Sequence, residues 1–176
     1  DLGRPDMAAL SYEAVMVLEK NDTSAMQHRA LALRDGKDYE AALEGINRAI
    51  ALEPDNADLY LTRGVIQRDA KDYDAAIESC RKVIELWPHH PSGYTNLGRV
   101  MDELGQTEEA MACYEQALAA DPACALAHFN RGLLQLQQGN YEDGWRSYEW
   151  RWSAEELALS KEKRVYEQAL WTGEQS

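Results

Sequence analysis

An all-α fold of stacked two-helix repeats is what the sequence predicts, on three observations. Pro54, Pro88 and Pro122 recur every 34 residues, and Gly64, Gly98 and Gly132 keep the same period. Ala42, Ala76 and Ala110 share it, with Gly144 next in the series. Ala, Leu and Glu dominate the composition, and β-branched residues are scattered rather than gathered in strand-like runs, which favours helices. A fixed period of this length marks a helical unit that buries its apolar face by stacking on its neighbours.

Taken in order, the chain opens in mid-pattern. Leu2-Gly3-Arg4-Pro5 aligns with Leu104-Gly105-Gln106-Thr107, and Ala8, Tyr12 and Val15 align with Ala110, Tyr114 and Ala117. Residues 1–22 therefore read as the second helix of a repeat whose first helix is absent, and the unpartnered apolar end is expected to self-associate. Four repeats follow, at 23–56, 57–90, 91–124 and 125–152. In the first helix of each, positions 4, 7, 8 and 11 share one face. Ala30, Gly64, Gly98 and Gly132 stand at position 8, and a helix-interior glycine costs about 1 kcal/mol, so its recurrence implies close helix packing. Turns are expected at Gly36-Lys37-Asp38, Lys71-Asp72, Gly105-Gln106-Thr107 and Gly139-Asn140. Asp38, Asp72, Thr107 and Asn140 are the expected N-caps of the second helices. Each proline closes a unit because it cannot continue a helix.

The last repeat departs from the pattern. Its second helix reads Tyr141-Glu-Asp-Gly-Trp145-Arg-Ser-Tyr148-Glu-Trp150-Arg-Trp152, with no closing proline. Charged helical sequence over 153–170 is expected to form a capping helix, with 171–176 starting a linker to a further domain.

At these residues the chain resembles the tetratricopeptide repeat family, most fully in Tyr94, Leu97, Gly98, Met101, Ala110, Tyr114, Ala117 and Pro122. Arg29, Arg63 and Arg131 depart from it, standing where the family prefers Leu. The resemblance implies a right-handed α-solenoid of about nine repeat helices plus the capping helix. It also implies that positions 2, 5, 6, 9, 12 and 13 of each first helix line a concave groove for an extended peptide. The candidate groove residues are Gln27, His28, Arg34, Leu61, Thr62, Arg68, Asn96, Arg99, Phe129, Asn130 and Leu133. Asn96 and Asn130 both occupy position 6, where an amide can donate to and accept from a peptide backbone. They resemble the asparagine ladder of O-GlcNAc-transferase-type repeats, broken here by His28 and Thr62; the plain alternative is two solvated amides. The Lys and Asn carboxylate clamp of chaperone-binding members is not carried over, because Gln27 and Leu31 stand at two of its places. Leu126, Phe129, Leu133 and Leu136 make the fourth groove face apolar, to be covered by the chain's own C-terminal segment or a following domain.

The tryptophan cluster, with Leu170-Trp-Thr-Gly-Glu174 beyond it, resembles the junction in bacterial proteins that fuse these repeats to a glycosyltransferase-like domain. That likeness implies a catalytic domain after Ser176. The alternative is that Trp145, Trp150 and Trp152 cap the core.

Composition narrows the function classes. Lys and Arg number 18 against 31 Asp and Glu, a formal net charge of −13, so a phosphate backbone would be repelled and no nucleic-acid partner is expected. No apolar run reaches a membrane span's length, so no membrane partner is expected. Cys80, Cys113 and Cys124 have no metal spacing and an odd number; they read as reduced packing residues, which favours the cytoplasm. His89-His90 lacks a third ligand, and no phosphate loop or nucleophile elbow is present, so neither metal, cofactor nor catalysis within the chain is expected. The function predicted is protein or peptide binding by a repeat module, as the N-terminal recognition segment of a larger glycosyltransferase-like protein. The alternative is a free-standing scaffold for assembling a multiprotein complex.

Overall fold

In the computed structural model, residues 22–153 are described; the expectations for 1–21 and 154–176, including the opening half-repeat and the capping helix, lie outside them. The described residues are all-helical, in two-helix repeats. They run α1 (Thr23–Asp35), α2 (Tyr39–Leu52), α3 (Ala57–Asp69), α4 (Tyr73–Leu86), α5 (Pro91–Glu103), α6 (Thr107–Ala120), α7 (Ala125–Gln137) and α8 (Tyr141–Tyr148). A short 3-10 helix, Glu149–Trp152, ends the series. The first helices begin at 23, 57, 91 and 125, and the second helices at 39, 73, 107 and 141, so each keeps the 34-residue step.

The chain divides into two compact units at Pro88. In the first, α1 pairs with α2 and α3 with α4, while α3 also packs on α2 and on α1. Its core is built on Met26, Ile46, Leu59, Ile66 and Val83, with Ala30, Ala42 and Ala49 fully buried where the helices cross. In the second unit α5 pairs with α6 and α7 with α8, α7 packs on α6 and α5, and the 3-10 helix folds back on α7 and α8. Its core gathers Ala110, Tyr114 and Leu134, flanked by Met101 and Met111.

Position 8 shows why small residues recur there, and the three glycines differ in how tightly they are held. A Cβ on Gly64 would lie 3.3 Å from Ser79 Cβ. On Gly98 it would lie 2.6 Å from the Tyr114 ring. On Gly132 it would meet backbone, at 2.7 Å from Tyr148 N and 3.0 Å from Gly144 O.

Two of the four expected N-caps form. Asp38 accepts from Ala41 N–H and Asp72 from Ala75 N–H. Thr107 instead begins α6, with Gln106 at the cap and no side-chain bond. Asn140 sits at the cap of α8 but turns its Nδ2 to Asp143 Oδ2, 3.1 Å away. The turn expected at Gly36-Lys37-Asp38 forms at Gly36 and Lys37: Gly36 keeps right-handed geometry at φ −77° just beyond the helix, and Lys37 takes the left-handed conformation at φ 64°. Lys71 does the same at 63°, where the later repeats place Gly105 and Gly139. The geometry belongs to the repeat, and two repeats meet it with a residue that pays for its Cβ.

The closing prolines serve as acceptors as well as helix stops. Tyr60 donates from its hydroxyl to Pro54 O at 3.0 Å, and His128 Nε2 lies 2.9 Å from Pro122 O. Tyrosine and histidine thus fill position 4 with the same contact six residues downstream of the proline.

Two of the three arginines at position 7, Arg63 and Arg131, have a structural reason that runs through three residues, whereas Arg29 stands with Leu33 and Gly45 and has its Nε buried without a partner. Arg63 Nε donates to Ser79 Oγ at 2.9 Å, and Ser79 Oγ donates to Gln67 Oε1 at 2.6 Å, with the guanidinium over the Tyr60 ring. Arg131, Gln135 and Ser147 occupy the same places in the fourth repeat, with Arg131 Nη2 3.3 Å from Ser147 Oγ. That version is looser: Arg131 Nε and Gln135 Oε1 are buried without a partner. The third repeat has Leu97, Met101 and Cys113 instead, an apolar set in the same three places. Ser79→Ala should cost about 1–3 kcal/mol, since two buried polar atoms lose their shared partner. Arg63→Leu/Gln67→Met/Ser79→Cys, which imports the third repeat's set, should recover most of it. Urea unfolding of the two variants checks this; a triple variant as unstable as Ser79→Ala would count against it.

Candidate peptide-binding face

The first helices carry the candidate groove residues, and the first unit has already committed most of its polar groups. Gln27 Nε2 donates to Thr62 Oγ1 at 2.8 Å and faces Asp58 O at 3.3 Å, bridging α1 to α3. Thr62 is only 7% exposed beneath it. Arg34 forks onto Asp35 Oδ1, at 2.7 Å from Nη2, and approaches Asp69 Oδ2 at 3.7 Å. Arg68 forks onto Asp69 Oδ1 at 2.6 Å and is buried. Leu61 packs against the core of its unit. Of the residues expected to line a groove, Thr62 and Arg68 are buried and Leu61 packs in part against the core. Packing of α3 on α1 and α2 takes positions that a single-helix wheel leaves open. His28 is exposed, with Nδ1 2.7 Å from Ser24 O, and remains on the face with Gln27 and Arg34.

In the second unit α5 and α7 touch, which brings Asn96 and Asn130 onto neighbouring helices at the same repeat position. Asn96 Nδ2 donates to Ser92 O at 3.0 Å, one turn back on its own helix. That leaves its carbonyl oxygen and its second N–H uncommitted to that bond. Asn130 Nδ2 is buried and has no hydrogen-bond partner, an arrangement that leaves a donor unsatisfied. Arg99 and Leu133 are half-buried along the same stripe.

The apolar fourth face is partly consumed within its own repeat. The Phe129 ring tilts on Tyr148 with centroids 5.3 Å apart, and a Cβ on Gly144 would lie 2.8 Å from Leu136, so both turn toward α8. Tyr148 of α8 thus meets Phe129 among the described residues.

The tryptophan cluster packs on α7 and α8. Trp150 stacks on His128 at 4.3 Å, and Trp145 meets Tyr148 edge-on. Arg151 lies 4.4 Å from both the Tyr148 and the Trp152 ring centroids. Tyr141 and Trp145 stay exposed, one turn apart on α8.

Asp102 is not among the candidate groove residues drawn from the sequence. In the structure it is half-buried in the last turn of α5, and burial pushes its carboxyl above the usual range. Its counterparts Arg34 and Arg68 are held by aspartates, whereas no ion pair reaches Asp102 among the described residues. The reversal of sign at position 12, from Arg34 and Arg68 to Asp102, was the signal in the sequence that could have found it. Among the described residues no group of three or more His, Cys, Asp or Glu is placed to hold a metal ion. His90 caps α5 by accepting from Ser92 N–H.

The chain has the tetratricopeptide-repeat fold: paired antiparallel helices at a 34-residue step, closed by prolines. Residues 55–123 match the family model described as tetratricopeptide repeat. Among solved structures, MamA is similar in fold, with a TM-score of 0.65 and 22% identity over 90% of this chain and 92% of that one. MamA from Desulfovibrio magneticus RS-1 (residues 41 to the end) aligns with a TM-score of 0.63 and 22% identity, over 92% of this chain and 89% of that one. The TPR domain of Arabidopsis OM64 aligns with a TM-score of 0.59 and 23% identity, over 65% of this chain and 95% of that one. At these identities the likeness is one of fold. No curated protein sequence matches the chain.

Proposed function

We propose that the chain is a protein-binding repeat module that holds an extended segment of a partner across the α5–α7 face of its second unit. The observation that carries this reading is the pair of position-6 amides. Asn96 keeps a carbonyl and an N–H beyond its one intrahelical bond, and Asn130 Nδ2, buried without a partner, gains one if its side chain turns outward to a ligand. A peptide backbone supplies alternating acceptors and donors, which is what two such amides can read. The first unit contributes less, because Gln27 and Arg34 bond to neighbouring side chains and Arg68 is buried against Asp69.

The parent context follows the tryptophan cluster: an N-terminal recognition segment of a glycosyltransferase-like protein in the cytoplasm. The glycosyltransferase-like context rests on the junction residues, and the compartment on the cysteines that read as reduced. A free-standing, self-associating scaffold is the second reading, favoured by exposed Tyr141 and Trp145 on α8, 65% and 40% accessible.

Selection of a random displayed peptide library on the immobilised 176-residue chain tests the binding reading. The native chain should retain peptides, and Asn96→Ala/Asn130→Ala should lose most of them while melting within a few degrees of it. Retention of the same peptides by the double variant would place binding elsewhere.

A further inference from the structure

Asp102 is an expensive residue where it stands. It occupies the last turn of α5, where unpaired backbone carbonyls already make the helix end negative and a cation is the favoured neighbour. The equivalent turns of α1 and α3 carry Arg34 and Arg68. Residues 89–153 contain no lysine and only four arginines against nine Asp and Glu. Each of those arginines is engaged elsewhere. Arg131 faces Ser147 and His128, Arg146 pairs with Glu142 and Asp143, and Arg151 pairs with Glu149. Arg99 has a partner of its own, as does Glu103 beside Asp102. Among the described residues the half-buried Asp102 carboxylate has no cation partner, although burial and the helix end both disfavour its charge. Asp102 also lies six residues beyond Asn96 on α5, about 9 Å along the helix axis.

Resting on the peptide-binding reading above, we propose that Asp102 is a specificity residue of the α5–α7 face: it receives a lysine or arginine side chain of an extended partner segment. The backbone of that segment is read by Asn96 and Asn130, which tolerate any sequence. The charge selects one, because a bound cation offsets both the desolvation and the helix-end repulsion that the free protein bears. Acidic or neutral segments leave Asp102 as it was and gain nothing there.

The peptide selection, run in parallel on the native chain and on Asp102→Asn, tests this. Native-selected peptides should be enriched in Lys or Arg at one position, and the enrichment should vanish with Asp102→Asn. For a recovered peptide, changing that Lys to Gln should weaken binding to the native chain about fivefold, the value of a charged hydrogen bond discounted for solvent screening. The same change should alter binding to Asp102→Asn by less than about twofold. Asp102→Asn should melt no lower than the native chain, since the carboxylate has no partner to lose. Peptides retained without basic enrichment, or enrichment that survives Asp102→Asn, would overturn the specificity role and leave the binding reading standing. Retention of no peptide above a blank support would overturn the binding reading itself.

Discussion

Gly132→Ala is expected to destabilise the second unit by about 3 kcal/mol or more, because its methyl group would land on backbone that cannot rotate aside. The added Cβ would stand 2.7 Å from Tyr148 N, 3.0 Å from Gly144 O and 3.0 Å from Ser147 C, so α7 and α8 would have to separate. Separation would also disturb the tilt of Phe129 on Tyr148, which spans the two helices, and the stack of Trp150, in the 3-10 helix, on His128 of α7. The companion substitutions set the scale. Gly64→Ala meets only Ser79 Cβ at 3.3 Å, and alanine recovers about 1 kcal/mol of helix propensity, so that variant should be close to neutral. Gly98→Ala should fall between them, because it meets a side-chain ring rather than backbone. Thermal unfolding of the three variants, followed by circular dichroism, should rank them in the order 64, 98, 132. A Gly132→Ala protein that melts with the native one would remove close backbone packing as the reason for the glycine.

The second large effect is expected from Tyr114→Ala. Tyr114 heads the fully buried side chains and is 1% exposed, packed with Ala110 and Leu134 in the core of its unit. Truncating a buried aromatic ring to alanine costs about 3–5 kcal/mol through lost transfer energy and the cavity left behind. Because the ring is what a Cβ on Gly98 would strike, the two sites must couple. Gly98→Ala/Tyr114→Ala should be less unstable than the sum of its single variants by about 1 kcal/mol or more, as the new methyl enters space the ring has vacated. Additivity within error would mean that Gly98 and Tyr114 do not touch in solution.

These two variants rest on features of different legibility. The glycine at position 8 was visible as a periodic residue that a helix interior should reject, and close packing followed from that. The sequence did not rank the three glycines. Whether position 8 faces Ser79, the Tyr114 ring or the backbone at Tyr148 depends on how far each pair of helices has closed. The arginines at position 7 looked like departures from the pattern when read singly. Read with positions 11 and 23 they form sets, Arg63-Gln67-Ser79 and Arg131-Gln135-Ser147 against Leu97-Met101-Cys113, each matched within its own repeat. That pairing spans 16 residues and is invisible to a wheel drawn for one helix.

The groove suffered from the same limit. The resemblance to the repeat family placed Thr62, Arg68 and Leu61 on the groove stripe. Packing of α3 against α1 and α2 closed over them, and neighbouring carboxylates took up Arg34 and Arg68. Asn96 and Asn130 survived as candidates because α5 and α7 leave their amides short of partners.

By itself the sequence determined the repeat length, the helix pairs, the small residues at their crossings and the proline stops. All of these are set by contacts within about 34 residues, where local propensity and burial point the same way. Only the tertiary structure decided which polar side chains are already spoken for. Asp102 and Asp69 stand one position apart in the repeat and carry the same group. Among the described residues Asp69 is held by two arginines and Asp102 by none. Whether a carboxylate is paired depends on the charge of the neighbouring helix, which periodicity within one helix does not carry.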